Sequence, residues 1–148
     1  QFIDLIPLDE RSEINLFFLI ISIYIFFIRN KIKMNNTLTI YHNPRCSKSR
    51  QTLNLILEKK INPKVHLYLE NILSESQIKN LLKQLGKNAR EIIRNKEEIY
   101  KKLSLKEASD NEIIKAISKN PILLERPIVT NGKQAIIGRP PENVLKLL

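Results

Sequence analysis

The stretch from residue 37 to residue 70 constrains the fold more than any other. "TLTIYH" (37–42) is rich in β-branched and aromatic residues and reads as a strand. "NP" breaks it. From Ser47, "SKSRQTLNLILEKK" places Leu53, Ile56 and Leu57 at helical spacing, and "INP" ends that helix. "KVHLYLE" (64–70) reads as a second strand. Strand, helix and strand within about 30 residues form a βαβ unit, whose two strands run parallel.

The remainder adds to this unit. Ser74 with Gln77 three residues on is a capping box opening "ESQIKNLLKQL", and Gly86 stops that helix. "NAREIIRNKEEIYKKL" keeps a helical periodicity, as does "DNEIIKAISKN" with Asp110 as its N-cap, up to Asn120-Pro121. Residues from about 74 to 120 are thus a helical insertion. "PIVTNGKQAIIG" (127–138) is two apolar-polar runs joined by Asn131-Gly132, the signal of a hairpin with a type I′ turn. After "RPPE", "NVLKLL" closes as a short helix. The expected fold class is α/β, one domain with a mixed sheet of about four strands.

The first 33 residues stand apart. "INLFFLIISIYIFFI" (14–28) is an almost unbroken apolar run. As a helix it spans about 22 Å, short of the ~30 Å hydrocarbon core of a bilayer. Basic residues flank it on both sides and no small-residue cleavage site follows, which disfavours a signal peptide. The only Met is Met34, and a well-patterned domain starts directly after it. The expected organisation is therefore residues 1–33 as upstream translated sequence, with a short hydrophobic segment as the alternative, and 34–148 as the folded domain.

The formal net charge of +10 attracts anions, from small oxyanions to nucleic acid, without choosing between them. With a single Cys, an internal disulfide is excluded. With only His42 and His66 beside it, so is a structural zinc site. A reducing, cytoplasmic setting follows as the expectation.

That cysteine lies in "HNPRCSKSR" (42–50), where the first strand passes into a helix N-terminus. Free backbone N–H groups and the helix dipole favour a negative charge there. Arg45, Lys48 and Arg50 are close in sequence, and His42 is four residues back. All of these lower a thiol pKa, and the thiolate is the reactive form. The alternative, a buried thiol packing as a small hydrophobe, calls for apolar neighbours that this stretch lacks. Residue 49 is Ser, so the motif is C-x-x-S and a dithiol cycle within the loop is excluded. The spacing from Cys46 to Arg50 also fails the C-x5-R of a phosphatase-type anion loop, and no Gly-rich phosphate loop occurs. Any adduct on Cys46 needs a thiol from another molecule to resolve it. Arg94, Arg126 before Pro127 and Arg139 before Pro140 are candidate oxyanion forks. From spacing alone, ordinary surface arginines are the commoner reading.

"YHNPRCSKSR", "YLE" (68–70), "AREIIRNKEEIY" (89–100), "NPILLERPIV" (120–129) and "IGRPPENVL" (137–145) together resemble the glutaredoxin-coupled arsenate reductases and their uncharacterised relatives. The motifs occur in the family's order and run over essentially all of 34–148. The resemblance implies a thioredoxin-like fold with a helical insertion. It implies Cys46 as nucleophile, His42 as a residue that helps ionise it, and Arg94, Arg126 and Arg139 as the oxyanion-binding trio. Pro127 matches the cis-proline that sits near the reactive cysteine in such folds. The implied activity is reduction of arsenate to arsenite, with no bound cofactor, glutathione as co-substrate and glutaredoxin as partner. Locally the chain departs from the established reductases: Ser47-Lys48-Ser49 stands where they carry Gly-Thr-Ser, as in the uncharacterised branch.

Two rival classes are weighed against this. Small transcription regulators of the same superfamily bind RNA polymerase and sense oxidation through C-x-x-C, but Ser49 removes that switch. A related thiol oxidoreductase with another substrate is the nearer alternative. Nucleic acid and membrane are not expected partners: the few aromatics do not interleave with basic residues, and the membrane case depends wholly on residues 14–28. Asn43 and Ser49 are candidates for positioning the thiolate by hydrogen bonding. His66 is expected to pack or face solvent, and Tyr68 and Glu70 to belong to strand packing and its exit turn.

Overall fold

Alternation along the strands decides the layers of the domain. The computed structural model of the chain describes residues 19–25 and 38–148. In the second group, β1 (Thr39–His42) leads into α1 (Ser47–Glu58), which returns to β2 (Lys64–Leu67). Then follow α2 (Glu75–Leu85), the short α3 (Glu98–Lys102), α4 (Asp110–Lys119), β3 (Ile128–Thr130) and β4 (Ala135–Ile137). A 3-10 helix, Pro141–Lys146, comes last. The strand order is β2-β1-β3-β4. β1 pairs parallel with β2, as the βαβ reading requires, and antiparallel with β3. β3 pairs antiparallel with β4.

Each face of this mixed sheet buries its own core. Ile40 and Val129 point to one side, against Ile56 of α1 and Val144 of the terminal 3-10 helix. Ile128, the neighbour of Val129, points to the other side, into a larger core with Ile78, Leu81, Ile113, Ile117 and Leu123. Successive residues on opposite faces are what a pleated strand imposes. Each of these wholly buried aliphatic side chains contributes about 1.5–3 kcal/mol relative to exposure. The result is an α/β domain with helices on both faces.

Local signals mostly act where expected. Ser74 and Gln77 form the capping box of α2, and Gly86 ends it in the left-handed region at φ 62°. Three readings are corrected. The N-cap of α4 is Ser109, not Asp110: Ser109 and Glu112 exchange backbone and side-chain hydrogen bonds as a second capping box. "NAREIIRNKEEIYKKL" is not one helix. Ile92 and Ile93 drop into the core, and the backbone there pairs sideways, Glu125 N–H donating to Ile92 O at 2.8 Å and Arg94 N–H to Leu123 O at 2.8 Å. Those cross-chain bonds replace the i→i−4 ladder, and helix resumes only at Glu98. The hairpin loop, finally, is four residues long, since Thr130 pairs directly with Ala135. Asn131 Oδ1 accepts from the N–H groups of Lys133 and Gln134, and only Gly132 has positive φ, at 88°. A type I′ turn would need positive φ at both central residues.

The expectations for residues 1–33 lie outside the described residues except for the helical stretch 19–25. Among the described residues, no helix is long and apolar enough to cross a membrane.

Candidate active site

Cys46 is the N-cap residue of α1, with extended backbone at φ −91° and ψ 120°. The turn before the helix is built by Asn43. Its carbonyl accepts from Cys46 N–H at 3.0 Å, and its Oδ1 accepts from Arg45 N–H at 2.9 Å. This leaves the sulfur half-buried over the free N–H groups of the first helical turn. Burial pushes the thiol pKa up. The N–H groups of Ser49 and Lys48 and the charges of Arg139 and Arg126 outweigh that, so the net direction is down from the ordinary thiol value. No conventional side-chain capping bond is closed, so the sulfur is stabilised as an anion without being locked.

The charges acting on this sulfur are remote in sequence. Arg139 Nη2 stands 3.7 Å from Cys46 Sγ. Its Nε bonds to the carbonyl of Arg126 at 2.8 Å and pairs with Glu125 Oε1 at 2.7 Å, which holds the guanidinium in place. The basic residues beside Cys46 do otherwise. Arg45, Lys48 and Arg50 are exposed, and Arg50 Nη1 bonds to Pro44 O at 2.7 Å. Arg126 reaches the site from a loop whose peptide bond to Pro127 is cis. The charge of Arg94 acts on the Tyr68 hydroxyl, and its guanidinium forms an ion pair with Glu97.

His42, Asn43 and Ser49 form a buried network behind the cysteine. Asn43 N–H donates to Ser49 Oγ at 3.0 Å, and Ser49 Oγ lies 2.8 Å from His42 Nδ1. Burial, then Arg50, lowers the His42 pKa, so the ring is neutral at neutral pH. Ser49 Oγ and His42 Nδ1 share one hydrogen bond whose direction follows the tautomer of the neutral ring. His42 therefore meets the site through Ser49 and carries no positive charge to the sulfur. The Ser49 hydroxyl is turned inward, and it is the Ser49 backbone N–H that faces Cys46. His66 is outside this network, with Nε2 2.7 Å from Asn71 O.

Two features escaped sequence reasoning. Gly138 is one. A Cβ there would stand 2.6 Å from Thr52 Oγ1 and 2.8 Å from Pro127 Cγ, between α1 and the cis-proline loop. Thr52 is held by its own bond to Lys48 O at 2.9 Å, so neither neighbour yields easily. Gly138→Ala is expected to cost about 1–3 kcal/mol, as overpacking does, and to displace Arg139. Thermal unfolding of the variant, with the alkylation rate of Cys46 at pH 7, checks both parts. Wild-type values for the two would refute the clamp. The other feature is Tyr68, read as strand packing: it is wholly buried, and its hydroxyl has no hydrogen-bond partner.

The model of the ArsC family matches residues 41–147, from the end of β1 through Arg139. The "Uncharacterized protein YfgD" of Escherichia coli is 51% identical over 118 residues, covering 78% of this chain and 99% of that protein. An arsenate reductase of Haemophilus influenzae is 49% identical over 112 residues, covering 74% of this chain and 97% of its own. Among solved structures, an arsenate reductase from Vibrio cholerae superposes with a TM-score of 0.73 at 48% identity, covering 75% of this chain and 97% of that one.

Proposed function

The chain belongs to the ArsC family, and from that premise we propose that it is a glutathione- and glutaredoxin-dependent arsenate reductase acting through Cys46. Arg126 and Arg139, with Arg94, draw the tetrahedral oxyanion to the sulfur. The thiolate attacks arsenic, and one oxygen leaves as water after taking up protons. A glutathione thiol then joins the arsenic in place of a second oxygen. The two sulfurs then couple into a Cys46–glutathione disulfide, passing two electrons to arsenic as both S–As bonds break; arsenic takes up water and leaves as arsenite, and a glutaredoxin thiolate attacks the disulfide to release the Cys46 thiolate. The external thiol is obligatory, because Cys46 is the only cysteine and Ser49 stands where a resolving thiol would be.

The observation that carries this reading is Cys46 Sγ over the first turn of α1 with Arg139 Nη2 at 3.7 Å. It joins an activated nucleophile to a fixed anion-binding fork, the two parts the reaction needs. Ser49 and His42 support it from behind, through the buried network that ties the Asn43 N–H to Ser49 Oγ at the start of α1. The direct test is arsenite release from arsenate with glutathione and glutaredoxin. Turnover that needs both thiol components is expected, and no turnover with either would remove arsenate as the substrate.

A further inference from the structure

We propose that the hydroxyl of Tyr68 donates a hydrogen bond to the oxyanion bound at Cys46, as a neutral fourth contact beside the arginines. The inference rests on the reading above only for the anion's identity.

Tyr68 follows β2 directly and is 0% exposed. Its ring fills the larger core, yet its hydroxyl finds no partner among the described residues. Such an atom is costly to bury, and Phe would fill the same space without the cost. The polar end is therefore unexplained by packing. Arg126 supplies the second observation. Its Nε is also buried and without a hydrogen-bond partner, and its charge acts on both the Cys46 sulfur and the Tyr68 hydroxyl. The Asn43 and Arg126 side chains approach the phenol oxygen as donors and the Arg94 charge acts on it as well, so its own O–H proton is left without an acceptor. Two donors without an acceptor, the Tyr68 O–H and the Arg126 Nε–H, thus belong to neighbouring side chains, and the Arg126 charge also acts on the nucleophile. A tetrahedral oxyanion, with several acceptor oxygens, satisfies both. Burial raises the phenol pKa, so the hydroxyl keeps its proton and stays a donor. Its neutrality matters chemically. Each added guanidinium must be neutralised or desolvated, whereas a phenol adds direction to the binding without adding charge.

The test compares wild type with Tyr68→Phe, using protection of Cys46 from iodoacetamide by arsenate, phosphate or sulfate. The variant is expected to need about fivefold more oxyanion for half-protection, the loss of one neutral hydrogen bond. Its melting temperature should be unchanged or higher, and the pH inflection of unprotected Cys46 should not move. Equal half-protection concentrations in the two proteins would overturn the proposal. So would a weakened protection that comes with a lower melting temperature and a shifted inflection, since that marks a structural role. If phosphate or sulfate protects wild type while arsenate is neither protective nor turned over, the arsenate reading fails. In that case weaker phosphate or sulfate protection in Tyr68→Phe still sustains the role of Tyr68. If none of the three protects wild type, both fall.

Discussion

Cys46→Ser is expected to reduce arsenate turnover to the level of the enzyme-free control. No other cysteine exists in the chain to take over. A serine hydroxyl in the same place meets the same N–H groups and the same Arg139, but its pKa lies so far above neutrality that they cannot ionise it. The variant should still fold. Ser is among the preferred N-cap residues, and the wild-type sulfur makes no conventional capping bond there, so α1 gains a cap. Equal or higher thermal stability with no activity is thus the expected pair of results. Turnover persisting in Cys46→Ser would place the nucleophile elsewhere or show the reaction to be non-covalent.

Arg126→Ala is the second large effect. It should lower kcat/KM for arsenate at least tenfold, about 1.4 kcal/mol of transition-state stabilisation. Two consequences combine. The oxyanion loses a buried donor, and the sulfur loses one of the two guanidinium charges that favour its anion. The sign follows from the charge: without it the thiol pKa rises, the thiolate fraction at neutral pH falls, and alkylation slows. Raising the pH restores the alkylation rate of the variant but not its affinity for the oxyanion, and this separates the two contributions. Unchanged kinetics would remove Arg126 from the site.

What was legible in advance was local. The parallel β1–β2 pair followed from one strand-helix-strand run. The helix start at Cys46 followed from "NPRCSKS", and α2 from Ser74, Gln77 and Gly86. Each rests on residues within a few positions of one another. Contacts between distant segments were not legible in periodicity. Ile92 and Ile93 fit a helical stripe, and only their pairing with 123–125 shows why the chain leaves the helix there. The lysine and arginines next to Cys46 looked like its activators, while the charges on the sulfur come from Arg126 and Arg139, which the β3–β4 hairpin carries back to α1. Nothing near residue 138 foretold that α1 and Pro127 close on it. Resemblance to a family supplied the arginine trio that spacing could not choose.

The central claim is that a helix N-terminus and two distant guanidinium groups lower the Cys46 thiol pKa and so favour the thiolate. The rate of Cys46 alkylation by iodoacetamide, followed against pH in the wild-type chain, measures this directly. An inflection below that of an unperturbed thiol is predicted, and it should move upward in Arg139→Ala. A thiol that stays unreactive until clearly alkaline pH, or an inflection indifferent to Arg139, would contradict the account.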